Sequence, residues 1–123
     1  MSYGWIHRRL MMSKPSYELL MQLLHDFSIQ LPDNLTLTNA LGDLTNDTRQ
    51  LNSGDVFCAI IGHSLDGRKY ISDAINKGVS LVLAECLDEN EHGTILFQQD
   101  IAVISFYQLN KKLFTLASAY YQT

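Results

Sequence analysis

Val56-Phe57-Cys58-Ala59-Ile60-Ile61-Gly62-His63-Ser64-Leu65-Asp66-Gly67-Arg68 runs from six unbroken apolar residues into a polar corner bracketed by two glycines. A strand that is apolar at every position, and not at alternate ones, is covered on both faces, so it belongs in a sheet with helices on either side. Gly62 breaks the run. Asp66 is a good N-cap, because its carboxylate accepts from the free N–H groups of a first helical turn. Tyr70, Ile71, Ala74 and Ile75 then form a buried helical stripe, Gly78 supplies a left-handed stop, and Val79 to Ala84 is a second buried strand.

Working back towards the N-terminus, Leu44-Thr45-Asn46-Asp47-Thr48 is extended in pattern and Asn52-Ser53-Gly54-Asp55 is a turn by residue type. Residues 44–61 are therefore expected to form a hairpin-like pair. Pro15 suits the first turn of a helix whose Leu19, Leu20, Leu23, Leu24 and Phe27 share one face, ended by Pro32-Asp33-Asn34. Residues 35–38 alternate as a short strand, and residues 1–13 have no period and are expected to be a loose leader. Working forward, Glu85, Asp88, Glu89, Glu91 and Asp100 have no basic residue among them, which predicts a solvated, mobile loop. Thr94–Phe97 and Ile101–Ile104 are short apolar strands, and Ser105 and Gln108 have the spacing of a capping box. Leu109, Leu113, Leu116, Ala117 and Tyr120 trace the face of a last helix. The sum is an α/β domain, residues 14–123, with a mixed sheet of about five strands flanked by helices.

Length and composition agree. A chain of 123 residues favours one domain, and 46% hydrophobic residues are too many for a disordered chain. Nine Lys and Arg against 13 Asp and Glu leave a net charge of -4, which does not suit a protein that neutralises a nucleic-acid backbone. Cys58 and Cys86 form no CxxC motif, too few for a structural zinc site, and Cys58 is expected to be a reduced core residue. No segment approaches the ~20 apolar residues of a membrane span. The apolar stretch after Arg8-Arg9 is too short for a signal-peptide core. The expectation is a cytoplasmic protein with neither nucleic acid nor membrane as partner.

The chain holds no G-x-x-x-x-G-K-[ST] loop, no G-x-G-x-x-G, no H-E-x-x-H and no G-x-S-x-G. His7, His25, His63 and His92 are scattered, and His7, His25 and His92 are expected at the surface. No catalytic residue and no metal ligand set emerges. One place does stand out physically. The corner Gly62 to Arg68 joins a strand end to a helix start, where ligands gather in open α/β sheets and unpaired N–H groups attract anions. Gly62 and Gly67 permit close backbone approach, His63 and Ser64 offer donors, and Arg68 adds a charge. The alternative is an ordinary turn with Asp66 as cap and Arg68 paired to it. Asn46-Asp47-Thr48-Arg49 is the second candidate; its alternative is an Asp47–Arg49 or Asp55–Arg49 pair holding a turn.

These two stretches, with Ser53-Gly54-Asp55-Val56-Phe57-Cys58-Ala59, Lys69-Tyr70-Ile71 and Ala74-Ile75-Asn76-Lys77-Gly78-Val79, resemble the N-terminal domain of the Mur ligases. The family pattern is D-[ST]-R, then G-D-[LV]-F-[VC]-A, then G-x-x-x-D-G-x-x-[FY]-[IA]. The resemblance covers residues 16–122, including Gln108-Leu109-Asn110-Lys111-Lys112-Leu113, and the G-H-x-x-D-G-R form favours the MurE branch over the MurF branch, with G-E-x-x-D-A-H. It implies a Mur ligase N-terminal fold that binds the UDP end of UDP-N-acetylmuramoyl-L-alanyl-D-glutamate. It further implies a parent enzyme that forms an amide bond in peptidoglycan synthesis, with ATP and magnesium handled by a central domain and the incoming amino acid by a C-terminal one. Both of those domains lie outside this chain, which holds no cofactor, is expected to catalyse nothing alone, and has the rest of the ligase as its partner.

Carried over position by position, the UDP-sugar contacts fall on Asn46, Thr48, His63, Ser64 and Leu65, with Arg49, Gly62, Gly67 and Arg68 in support. Thr48 keeps the hydroxyl that is often a serine, Asn46 stands where an apolar residue is common, and Ser64 and Leu65 replace other side chains. The rival readings are a separate nucleotide-sugar-binding, regulatory or protein-interaction module, or the MurF counterpart. Without a central domain, the apolar end of the last helix at Leu116, Ala117 and Tyr120 is expected to be partly exposed.

Overall fold

The computed structural model describes residues 17–32, 35 and 41–121. The expected leader, the start of the first helix at Pro15 and the short strand at 35–38 fall outside them, apart from Leu35. Helix α1 (Tyr17–Asp26) buries Leu20, Leu23 and Leu24, the face its spacing predicts. It stops well before Pro32. Ser28 turns left-handed at φ 66°, and the Ile29 N–H donates to the Leu24 carbonyl at 2.8 Å, which tucks Ile29 and Leu31 into the core.

Strands β1 (Leu44–Thr45), β2 (Val56–Ala59), β3 (Leu81–Cys86), β4 (Ile95–Gln98) and β5 (Ile101–Tyr107) form one mixed sheet in the order β1-β2-β3-β5-β4. All neighbours are parallel except the β4–β5 hairpin. The expected hairpin-like pair over residues 44–61 is therefore wrong: β1 and β2 run parallel, with Leu44 opposite Val56. The Gly42 N–H donates to the Gly54 carbonyl, and the Val56 N–H to the Asp43 carbonyl, both at 2.8 Å. These bonds bring the chain back to the starting end of β1 before β2 begins. Asp55, buried, locks the return by accepting from the backbone N–H groups of Asp43 and Asn52.

Alternation along the strands builds a core on each face. On one side Leu44, Val56, Cys58, Leu81, Leu83, Ala102, Ile104 and Phe106 pack with α1 and the last helix, α3 (Leu109–Tyr121). On the other, Phe57, Ala59, Val82 and Ala84 pack with the short helix α2 (Ile71–Asn76) through Ala74 and Ile75. Fully burying each of Leu81 and Leu83 contributes roughly 1.5–3 kcal/mol. Gly78 takes the left-handed turn expected of it, at φ 91°. Cys58 lies in this core as a free thiol, pushed up to about 12 by burial.

Several expectations fail towards the C-terminus. Glu85 is not in a solvated loop but in β3, half-buried, and the exposed acidic segment after it holds a one-turn 3-10 helix (Glu89–Glu91), whereas β4 falls within a residue of the strand expected at Thr94–Phe97. His92 is not a plain surface residue: its Nδ1 accepts from the Tyr107 N–H at 2.8 Å, and Nε2 lies 2.6 Å from the Phe27 carbonyl. The capping box is absent, because Ser105 lies inside β5 and Gln108 adopts φ 58°. Leu116, Ala117 and Tyr120 are completely buried, so that end of α3 is not the exposed surface expected. It is anchored instead. The Tyr120 hydroxyl donates to the Gly42 carbonyl, and the Tyr121 hydroxyl donates to Asp43 while accepting from the Leu44 N–H.

Candidate functional site

The ends of β1 and β2 carry two matching corners. After Thr45, Asp47 caps a one-turn 3-10 helix (Thr48–Gln50) by accepting the Arg49 backbone N–H at 2.9 Å. The Arg49 guanidinium folds back on the same carboxylate, Nε to Oδ1 at 3.0 Å and Nη2 to Oδ2 at 2.9 Å. After β2, Asp66 caps a second 3-10 turn (Gly67–Tyr70) by accepting the Arg68 N–H at 3.0 Å. Arg68 returns in the same way, Nε to Oδ1 at 2.9 Å and Nη2 to Oδ2 at 2.6 Å. In each Asp-x-Arg clasp the guanidinium bond holds the Asp carboxyl down to about 2, with the capped N–H adding to it. Of the three pairings weighed from sequence, Asp47–Arg49 and Asp66–Arg68 are formed, whereas Asp55–Arg49 is not, because Asp55 is buried with its carboxylate on the Asp43 and Asn52 N–H groups.

Between Ala59 and the second clasp the chain makes a closed turn. Ile61 bridges antiparallel to Asp66, the Gly62 N–H donates to the Leu65 carbonyl, and the Gly67 N–H donates to the Ile60 carbonyl, both at 2.8 Å. Gly67 is required there: a Cβ would lie 2.9 Å from the Ile60 carbonyl oxygen and 3.0 Å from its nitrogen. His63 and Ser64 stand exposed at the tip.

A cleft of about 550 Å³ separates the two corners. Asn46, Asp47, Thr48 and Arg49 line it from one corner, and Gly62, Leu65 and Gly67 from the other. Phe57, Ile60 and Tyr70 supply apolar surface. Of the candidate residues, Asn46, Thr48, Arg49, Gly62, Leu65 and Gly67 are thus brought together, whereas His63, Ser64 and Arg68 flank the turn without lining the cleft. Tyr70 was expected in a buried stripe; it is 38% exposed and faces this space. Lys77, not singled out as a site residue, donates from Nζ to the Thr48 carbonyl at 2.6 Å and props the first corner. Its signals in the sequence were its place just after α2 and within the Ala74–Val79 stretch that carries the family resemblance.

Polar corners and apolar walls of this kind suit a ligand with a flat ring and a polar tail. Among the described residues no three His, Cys, Asp or Glu side chains converge as a metal site. With no phosphate loop in the sequence either, the described residues do not fit ATP or magnesium. Among the described residues no helix is long and apolar enough to cross a membrane.

The fold is α/β, and its cleft lies at the carboxyl ends of parallel strands, where open sheets of this class take ligands. The profile described as "Mur ligase family, catalytic domain" matches residues 43–121, and the chain belongs to the Mur ligase family. It is similar to the UDP-N-acetylmuramoyl-L-alanyl-D-glutamate--2,6-diaminopimelate ligase of Haemophilus influenzae, 36% identical over 83 residues, covering 68% of this chain and 17% of that protein. The enzyme of the same name from Vibrio vulnificus is 40% identical over 76 residues, 62% of this chain and 15% of that one. The chain therefore spans about a sixth of the length of these curated relatives. A crystal structure of MurF from Acinetobacter baumannii shares the fold, with a TM-score of 0.57 at 17% identity over 85% of this chain and 20% of that one.

Proposed function

We propose that this domain holds the uridine diphosphate end of UDP-N-acetylmuramoyl-L-alanyl-D-glutamate for a MurE-type ligase of peptidoglycan synthesis. The observation that carries the reading is the cleft between Asn46–Arg49 and Gly62–Gly67, at the strand ends where open α/β sheets take ligands. The names of the two curated relatives, and their identity across this segment, support the choice of substrate. Phe57, Ile60, Leu65 and Tyr70 offer apolar surface to a pyrimidine ring. Asn46 and the Thr48 hydroxyl offer hydrogen bonds, with Arg49 in support, and His63 and Ser64 meet the ligand from the turn's exposed tip, backed by Arg68.

In this reading the parent enzyme is an ATP-dependent acid–amino-acid ligase of the cytoplasm, and its central domain is this domain's partner. Binding energy gathered at the nucleotide end, far from the reacting carboxylate, serves to orient the peptide for chemistry elsewhere. The domain alone catalyses nothing. Nuclear magnetic resonance titration with the nucleotide-dipeptide tests the site: shifts confined to residues 46–49 and 62–70 are expected, and none at millimolar ligand overturns the reading. Ligation of diaminopimelate by this chain alone would overturn the division of labour.

A further inference from the structure

Within the turn that forms one wall of the cleft, Ile61 is tied by hydrogen bonds to two neighbouring elements. The β2–β3 ladder ends at Ala59 opposite Ala84, so the backbone of Ile61 has passed beyond the last strand pairing. Both of its polar groups nevertheless find partners, and both partners are side chains. The Ile61 N–H donates to the Glu85 carboxylate at 2.7 Å, and the Ile61 carbonyl accepts from the Asn110 amide at 3.1 Å. Glu85 belongs to β3, whose other residues are apolar or Cys, and is half-buried where it reaches across. Asn110 comes from the first turn of α3, one residue after the fully buried Leu109. The two anchors therefore rise from separate core elements and close on the same peptide group pair. The Gly62–Leu65 and Gly67–Ile60 bonds, by contrast, are internal to the turn and travel with it.

We infer that Glu85 and Asn110 are positioning residues for the nucleotide: by pinning Ile61 they set where the Gly62–Gly67 turn stands against Asn46–Arg49. The inference rests on the cleft being the uridine diphosphate site. Neither side chain lines the cleft; each acts through the backbone of Ile61. A turn that is fixed before the ligand arrives loses less freedom on binding, and the affinity gained in this way vanishes when the pins are removed.

Calorimetric titration of the 123-residue chain with UDP-N-acetylmuramoyl-L-alanyl-D-glutamate, together with amide hydrogen exchange at Ile61, tests this. Glu85→Ala and Asn110→Ala are each expected to weaken binding about tenfold and to speed Ile61 exchange, with the melting transition hardly moved. Glu85→Gln keeps an acceptor oxygen and is expected to restore both affinity and protection. Asn110 is exposed on a helix, where Ala is well tolerated, so that variant folds even if Glu85→Ala does not. Wild-type affinity in the Ala variants, or a Glu85→Gln protein as weak as Glu85→Ala, overturns the positioning role while leaving the cleft assignment intact. Failure of the wild-type chain to bind at millimolar ligand overturns the cleft assignment, and this inference with it.

Discussion

Asp47 and Asp66 each accept the backbone N–H two residues ahead and a two-pronged guanidinium from that same residue. The Asp-x-Arg spacing made these pairings legible in the sequence, since a residue that caps its own turn already has the next-but-one side chain within reach. The linkage has a definite sign. Both carboxyls titrate lower in the folded chain than the ordinary 3.8, so the clasps contribute fully above that value and are lost as pH falls through about 2. Carboxyl carbon titrations of Asp47 and Asp66 are expected to inflect near 2, and Arg49→Ala should return Asp47, but not Asp66, towards 3.8. An Asp47 inflection that Arg49→Ala leaves in place would show that the guanidinium is not its cause. Other residues could not be read this way. Tyr70 fell in phase with Ile71 and Ala74, yet the segment begins with a 3-10 turn, so the helical period did not yet apply there and the ring faces the cleft.

The β4–β5 hairpin shows why elements were placed more reliably than their joints. Its strands were visible as apolar runs, but the two residues between the paired Gln98 and Ile101 are Gln99 and Asp100, at φ 50° and 69°. A tight hairpin wants positive φ at both central positions, and Asn-Gly is its usual signal. Here packing of Ala102 and Ile104 imposes the turn on residues that resist it. Asp100→Gly is expected to raise stability by about 0.5–1 kcal/mol, the relief of a left-handed side chain less the added freedom of the unfolded chain. Urea unfolding of the two proteins measures this, and a loss of stability would mean that the Asp100 side chain holds the turn. The error over residues 44–61 has a related origin. A turn at Asn52–Asp55 fits an antiparallel return as well as a crossover, and the bonds that choose the parallel one are those in which Gly42 N–H donates to Gly54, Asp43 N–H to Asp55, and Val56 N–H back to Asp43.

At the scale of the molecule, the order β1-β2-β3-β5-β4 puts the ends of β1 and β2 side by side, and the cleft follows from that adjacency. A ligand that binds only the folded chain must stabilise it. At a hundred times its dissociation constant, the nucleotide-dipeptide should add about 2.7 kcal/mol and raise the melting temperature accordingly. ATP, for which the chain has no phosphate loop, should leave the melting temperature unchanged. Thermal melts with each ligand decide the matter, and stabilisation by ATP in place of the precursor would assign the cleft to a different nucleotide.

By itself the sequence determined the α/β class, the apolar strands at the middle of the sheet, the faces of α1 and α3, and both stretches that border the cleft. Those features are local: periodicity, capping chemistry and glycine at a tight approach are all written within a dozen neighbouring residues. The tertiary structure alone decided that β1 and β2 are parallel, that Tyr70 turns to the cleft, and that Glu85, Asn110 and Lys77 brace its walls. Each of these depends on a partner far along the chain, and such partners are chosen by how the layers pack, which no window of neighbouring residues records.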